Sequence, residues 1–324
     1  MVVGWRTFLS QILGTAAALT VGALVLILGV DPYDTGRIAW LGRGFTRELS
    51  PRMAHASRAR DSRFTAAIVG NSHIQLLSPP RLDAMTGLDF VSLATPATGV
   101  REQKSLLDYF LWRREAAPKA VVIGIDELTC RSTHQRLQEE PFPFWLYSPQ
   151  FWTYLQGAWR LKTVQAALSH ISGRRSSNLY RRDGFWDYEA GKAWYGPEAR
   201  QLMGARRKRP LADAGPPFPA LDILREMVRG LPAQTQVVLV IPPVYAPLLP
   251  DPGTPADLAS QSCKSAIMRL AGDRPGIHVL DYRAPSDLSN QMESFWDGDH
   301  MTKAVAQRIE KDIATALAAQ PSAE

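Results

Sequence analysis

Cysteine is nearly absent, with Cys130 and Cys263 the only two in 324 residues. So few exclude a disulfide-stapled scaffold, and two buried thiols are the expected state. In an oxidising compartment they would pair only if the fold brought their Cα atoms within bonding reach. The chain also lacks a phosphate-binding glycine loop, a dinucleotide fingerprint and any internal repeat, which removes nucleotide-driven classes and solenoids. Histidines number six. His55, His134, His170 and His278 each stand without the second ligand that zinc needs at helical or loop spacing. Asp297, Asp299 and His300 have metal-binding chemistry as a set, but no further cluster accompanies them. No cofactor is therefore expected.

Long runs that are both uncharged and almost wholly apolar are missing too, with one exception. Thr7 to Val30 carries no charge, and the stretch from Phe8 onward is long enough to cross a bilayer as a helix. Arg6 and the amino terminus precede it, and Asp31 and Asp34 follow. The positive-inside rule then keeps the N-terminus cytoplasmic and exports the rest, although Arg37, Arg43 and Arg47 weaken the contrast. Cleavage after Ala16-Ala17-Ala18 is the rival, but the apolar run continues past that point. An uncleaved anchor in a bacterial inner membrane, with a periplasmic C-terminal portion, is the expectation.

What is present in ordinary amount allows a globular domain. Hydrophobic residues make up 45% of the chain, enough for a sizeable core. The net charge of +6 favours anionic partners without naming them. Residues 1–30 read as a stub and anchor, 31–63 as a connector, and 64–324 as one α/β domain. Phe45 to Arg60 is expected to form a short basic helix whose arginines face solvent. From Phe64 onward, apolar runs alternate with helical patterns, the mark of a parallel sheet with crossover helices. The predicted strands are Phe64–Val69, Phe90–Leu93, Ala120–Ile125, Val237–Ile241 and His278–Leu280. The predicted helices are Arg101–Arg114, Leu221–Arg229, Pro255–Leu270 and Thr302–Ala318. In the last, Met301, Val305, Ile309, Ile313 and Leu317 form one apolar stripe. An excursion over residues 131–218 is too long for a simple connection. Its first part is aromatic. Its second, Arg174 to Arg209, holds ten Lys/Arg against four Asp/Glu along with Tyr180, Trp186, Trp194 and Tyr195. Arginines and flat rings suit an anionic glycan, yet such a run is more often a subsidiary core beside a solvated loop. Nucleic acid would fit the composition, but an exported domain argues against it.

Two separated stretches carry chemistry. Ile68-Val69-Gly70-Asn71-Ser72-His73 closes the first strand and places a serine at the carboxyl edge of the sheet, where α/β folds put ligands. Asp297-Gly298-Asp299-His300 precedes the last helix. A serine hydroxyl needs a base to take its proton. His73 is a poor choice, because adjacent side chains diverge. His300 suits the role, with Asp297 to orient its ring. Taken alone, these spacings allow a plainer reading in which Ser72, Asp297 and Asp299 are helix N-caps. The elbow Gly-x-Ser-x-Gly is absent, since Ile74 occupies its final position.

The two stretches, together with Val30-Asp31-Pro32-Tyr33, Ile241-Pro242-Pro243 and Phe295-Trp296, resemble the SGNH (GDSL-like) hydrolase superfamily. Within it they resemble the membrane-anchored SGNH-type proteins of cell-envelope polysaccharide acylation. The resemblance implies a three-layer flavodoxin-like fold with a central parallel sheet after one transmembrane helix. It implies Ser72, His300 and Asp297 as the triad, and Gly99 with Asn71 around the oxyanion. The implied activity is a serine esterase or O-acyltransferase working on acyl groups, acetyl first among them. The implied partners are an acylated envelope glycan and a membrane-bound partner in acyl export. One position departs from the pattern. Asp126, in Gly124-Ile125-Asp126-Glu127, stands where the superfamily has an asparagine donor, and an ionised carboxylate cannot donate. That favours the alternative of an inactive SGNH-like module that binds glycan or scaffolds a complex.

Overall fold

Five short apolar runs build one parallel sheet: β1 (Ala66–Val69), β2 (Phe90–Ser92), β3 (Ala120–Gly124), β4 (Gln236–Ile241) and β5 (Ile277–Asp281). The computed structural model describes residues 4–38, 40, 50–131, 141–172, 181–190 and 215–319. The sheet order is β2-β1-β3-β4-β5, all parallel, the doubly wound flavodoxin-like arrangement. β1 and β3 are buried on both faces, which is why they read as unbroken apolar runs rather than alternating ones.

Alternate strand residues feed two cores. Ala67, Val69, Val121, Ile123, Val237 and Leu239 point into a cluster with α2 (Pro51–Arg60), α4 (Val100–Trp112), α8 (Pro219–Arg229) and α9 (Pro255–Leu270). Ile68, Val122, Val238 and Val240 point to the opposite face, where α3 (Pro79–Thr86) and α10 (Lys303–Ala318) pack. Sheet and helices thus form the expected three layers. The stripe of Met301, Val305, Ile309, Ile313 and Leu317 is buried along its whole length and docks α10 on the sheet.

An N-terminal helix, α1 (Trp5–Val30), is long and apolar enough to cross a membrane. Most of it is exposed, while Ile27, Gly29 and Val30 at its end are buried. The following residues are held tightly. Asp31 accepts from the Thr35 hydroxyl at 3.0 Å and the Gly36 N–H at 2.6 Å, and the Ser57 hydroxyl donates to Asp34 at 2.6 Å. The predicted solvated arginine face on α2 is not observed. Residues Ala54 to Ala59 are buried, Arg58 included, because the small residues of this helix let it lie flat against α4. Phe45 to Leu49, the start of the predicted basic helix, lie outside the described residues.

The front of the excursion forms α5 (Phe144–Tyr147), α6 (Phe151–Ala158) and α7 (Leu161–Ile171). Phe142, Trp145, Tyr147 and Tyr154 join the main core rather than a separate one. The basic run Arg206-Arg207-Lys208-Arg209, with Tyr180, Trp194, Tyr195 and His134, lies outside the described residues. The expectation of two thiols is corrected. Cys130, in the turn after β3, and Cys263, on α9, are disulfide-bonded, with Cα atoms 5.5 Å apart. Their 133-residue separation hid this, since it is the packing of α9 against β5 and the turn after β3 that brings them together.

One buried ion pair ties α10 to α3. Glu310 is fully buried and accepts from Arg81 Nε and Nη2 at 2.5 and 2.7 Å and from the Ser78 N–H at 2.7 Å. Burial pushes its carboxyl above the usual range, and the Arg81 and Ser78 hydrogen bonds pull it back. Removing one partner strands a buried charge. In urea unfolding, Arg81→Ala is expected to cost about 3 kcal/mol. Arg63→Ala, at an exposed pair with Asp61, should cost no more than about 1 kcal/mol.

Candidate active site

The carboxyl edge of β1 delivers the first group. After Val69 the chain turns through Gly70, where a Cβ would sit 2.5 Å from the Ile74 side chain and 3.4 Å from the Gly124 backbone. Residues Ser72–Ile74 form one turn of 3₁₀ helix capped by the Asn71 side chain, which accepts from the His73 N–H at 3.1 Å. Ser72 is therefore the first residue inside this turn and not its cap. The cap of α10 is Thr302, so neither Asp297 nor Asp299 fills that place either.

The second group arrives from the far end of the chain. Gly298 adopts φ 95°, a left-handed conformation that favours glycine, and its carbonyl accepts from the Tyr245 N–H at 2.8 Å. Asp297 Oδ1 accepts from the backbone N–H groups of Asp299 and His300 at 3.1 and 2.9 Å. A bridge between Phe295 and Met301 closes the loop directly before α10.

These two turns meet. Ser72 Oγ lies 2.9 Å from His300 Nε2, and His300 Nδ1 lies 2.9 and 3.0 Å from the two Asp297 oxygens. With the Nδ1–H donating to Asp297, Nε2 is left as the acceptor for the serine proton. Burial alone would raise the Asp297 carboxyl, but the hydrogen bond and charge of His300 and two backbone N–H groups together hold it down to about 2. The His73 ring stands edge-on to that of His300 at 5.0 Å between centroids. Burial first, then the neighbouring His300 and Arg283 charges, push His73 down to about 3, so it is a feeble base.

The flanking donors are engaged in part. The Gly99 N–H donates to Glu102 at 3.0 Å, at the start of α4. One Asn71 Nδ2 hydrogen goes to the Asp126 carboxyl, leaving the other available. The Ser72 N–H has no hydrogen-bond partner among the described residues. Asp126 also accepts from the Leu128 N–H at 3.0 Å, so it is turned toward donors and works as an acceptor. Burial raises its carboxyl, opposed by Arg283 and by the Asn71 amide. A cavity of about 470 Å³ opens beside Asp126 and Asp299 and is otherwise mainly apolar, with Ile125, Ile241 and Leu248 on its walls. Among the described residues, no group of three His, Cys, Asp or Glu is placed to hold a metal ion.

Sequence reasoning missed a clamp over the His300 turn. Glu189 Oε1 accepts from both Trp296 Nε1 and the Lys303 N–H at 2.6 Å. Lys303 Nζ pairs with Asp187 at 2.6 Å. The Tyr188 hydroxyl donates to the Met301 carbonyl at 2.8 Å, and its ring stands edge-on to His300. These three residues sit in the middle of the excursion, where nothing in the local pattern marks them apart from aromatic content.

Comparison with known proteins adds little to this geometry. No protein-family model and no curated protein matches the chain. Among solved structures, the chain is similar to a carbohydrate esterase family 2 enzyme with a carbohydrate-binding domain from Corynascus thermopiles (Myceliophthora fergusii). Identity is 12%, with a TM-score of 0.37 over 78% of this chain, which spans 65% of that protein's length.

The depressed Asp297 carboxyl has a testable sign. Its unfolded value is about 4, so its contribution to stability is present above that pH and lost as pH falls toward about 2. Acid unfolding followed by circular dichroism should show this loss between about pH 4 and 2 in the wild type. In Asp297→Asn that share of the slope should be missing.

Proposed function

We propose that the protein is a membrane-anchored SGNH-type serine esterase or O-acyltransferase acting on acyl groups of an extracytoplasmic polysaccharide. The observation that carries this reading is the unbroken hydrogen-bonded line from Ser72 through His300 to Asp297. Ser72 Oγ attacks the acyl carbonyl while His300 Nε2 takes its proton, and Asp297 steadies the imidazolium that results. Collapse of the tetrahedral intermediate returns that proton to the leaving alcohol and leaves an acyl-serine. Water then gives hydrolysis, and a sugar hydroxyl gives transfer. The Ser72 N–H and the second Asn71 Nδ2 hydrogen are the donors nearest to hand for the oxyanion. Gly99 would join them once its N–H is released from Glu102.

Two further features support the setting. The disulfide between Cys130 and Cys263 belongs to oxidising compartments, which fits export beyond the membrane that α1 is long enough to cross. The mainly apolar cavity beside Asp299 offers room for the part of the substrate that does not react. Polysaccharide as substrate rests on the family resemblance of the end motifs.

A second reading is favoured by the engaged donors. Asp126 holds Asn71, and Glu102 holds the Gly99 N–H, an arrangement a glycan-binding or scaffolding module could keep without turnover. Release of p-nitrophenol from its acetate ester separates the two. Wild-type protein should turn over, and Ser72→Ala should lose about 10³-fold or more. Equal glycan binding by both proteins without turnover by either would select the second reading. Labelling by an active-site serine probe that persists in Ser72→Ala would remove Ser72 from the chemistry.

A further inference from the structure

The surface around the end of α1 is built the wrong way round for water. α7 packs against the last turns of α1, and the Tyr33 hydroxyl meets the Thr163 hydroxyl at 3.1 Å at that junction. The residues α7 turns inward are small: Thr163 and Ala167 are almost fully buried. Its large apolar residues point outward. Leu161 is 73% exposed, Leu168 53% and Ile171 49%. With half-buried Val164 they recur at spacings of three and four, forming one stripe. Lys162, Gln165 and Ser169 fall on the adjoining arc, which makes α7 amphipathic across its outer surface. Immediately before it, α6 exposes Phe151 and Trp152, and Trp159 is exposed in the turn between them.

We propose that α6 and α7 form a collar that lies in the lipid–water interface around the exit of α1, with bilayer lipid as its occupant. The proposal rests on the reading of α1 as a membrane span. Its first support is continuity: α7 is packed on α1, and the apolar flank of α1 is exposed up to that contact, so what covers one covers the other. Its second is the pattern itself. Small residues between helices with large apolar ones outside is the packing of helices in lipid, where apolar surface need not be hidden. Its third is the tryptophans. They prefer the headgroup level, and Trp5 marks the other end of a 26-residue helix that is about 39 Å long, enough for the hydrocarbon core and its borders. Lys162 and Arg160 suit the phosphates there. A collar on a single span fixes the tilt of the domain against the membrane, because two elements in the interface resist rocking where one does not.

The test uses the full chain in nanodiscs of phosphatidylcholine and phosphatidylglycerol. With Cys130 and Cys263 paired, a new surface thiol is the one that reacts, so an environment-sensitive fluorophore is attached after Leu168→Cys, or after Leu161→Cys as a second, independent site. Leu19→Cys on α1 and Leu258→Cys on α9 are the references, both well exposed. With nitroxide-bearing lipids, labels at 168 and 161 are expected to lose most of their fluorescence, as at 19, while the label at 258 keeps it. Quenching at 19 with 168 and 161 behaving like 258 overturns the collar and leaves the anchor standing. Labels at 168 and 161 that are shielded from water but unquenched also overturn it, since protein and not lipid would then cover the stripe. No quenching at 19 removes the anchor and the collar with it.

Discussion

The hydrogen bond between the Ser72 hydroxyl and the His300 imidazole joins groups 228 residues apart in the chain, and keeping it demands that two sheet-edge turns be rigid at once. Each turn is anchored from beneath. The Ser72 turn rises from β1, buried on both faces, and is folded back on its own Asn71 cap. The His300 turn is pinned behind by α10, whose apolar stripe is sunk in the second core, and before that by the Phe295–Met301 bridge. Glu310 and Arg81 fasten α10 to α3, the helix that follows Ser72. The two catalytic candidates are thus held together by an ion pair that neither of them touches.

The excursion that interrupts the α/β repeat divides into parts with different duties. Its aromatic front thickens the main core and meets α1, so α1 is continuous with the domain and not joined to it by a free linker. Residues Asp187 to Glu189 return to the opposite end and clamp the His300 turn. Asp183 also caps the sheet edge, its carbonyl accepting from the Ser92 N–H of β2 at 2.7 Å. An exposed edge strand invites pairing with other chains, and this contact covers part of it. The excursion therefore contacts both α1 and the His300 turn.

Electrostatics around the candidate site separates two histidines that are close in space. His300 has a carboxylate on one nitrogen and a hydroxyl on the other, so every polar atom of its ring has a partner. His73 is enclosed, stands beside the His300 ring and the Arg283 charge, and has a buried Nδ1 without a hydrogen bond among the described residues. The first is hydrogen-bonded through both nitrogens, while the second is held toward its neutral form by burial. Asp126 is governed by the same balance of burial and neighbours, and it spends its acceptor capacity on Asn71 and Leu128. Asp126 thereby braces Asn71.

Sequence alone determined the parts of this protein that depend on local repetition. Strand positions, the stripe on the last helix and the apolar length of α1 are legible because burial imposes its period on neighbouring residues. The two motif turns are legible for a related reason: glycine, serine, aspartate and histidine at fixed offsets are set by the turn that holds them. Tertiary structure decided whatever needed a partner far along the chain. The pairing of Cys130 with Cys263, the burial of Arg58 in a helix that reads as solvated, and the grip of Glu189 on Trp296 are examples. Each depends on which helices lie over which strands, and that is fixed by the summed packing of the whole core rather than by any window of residues.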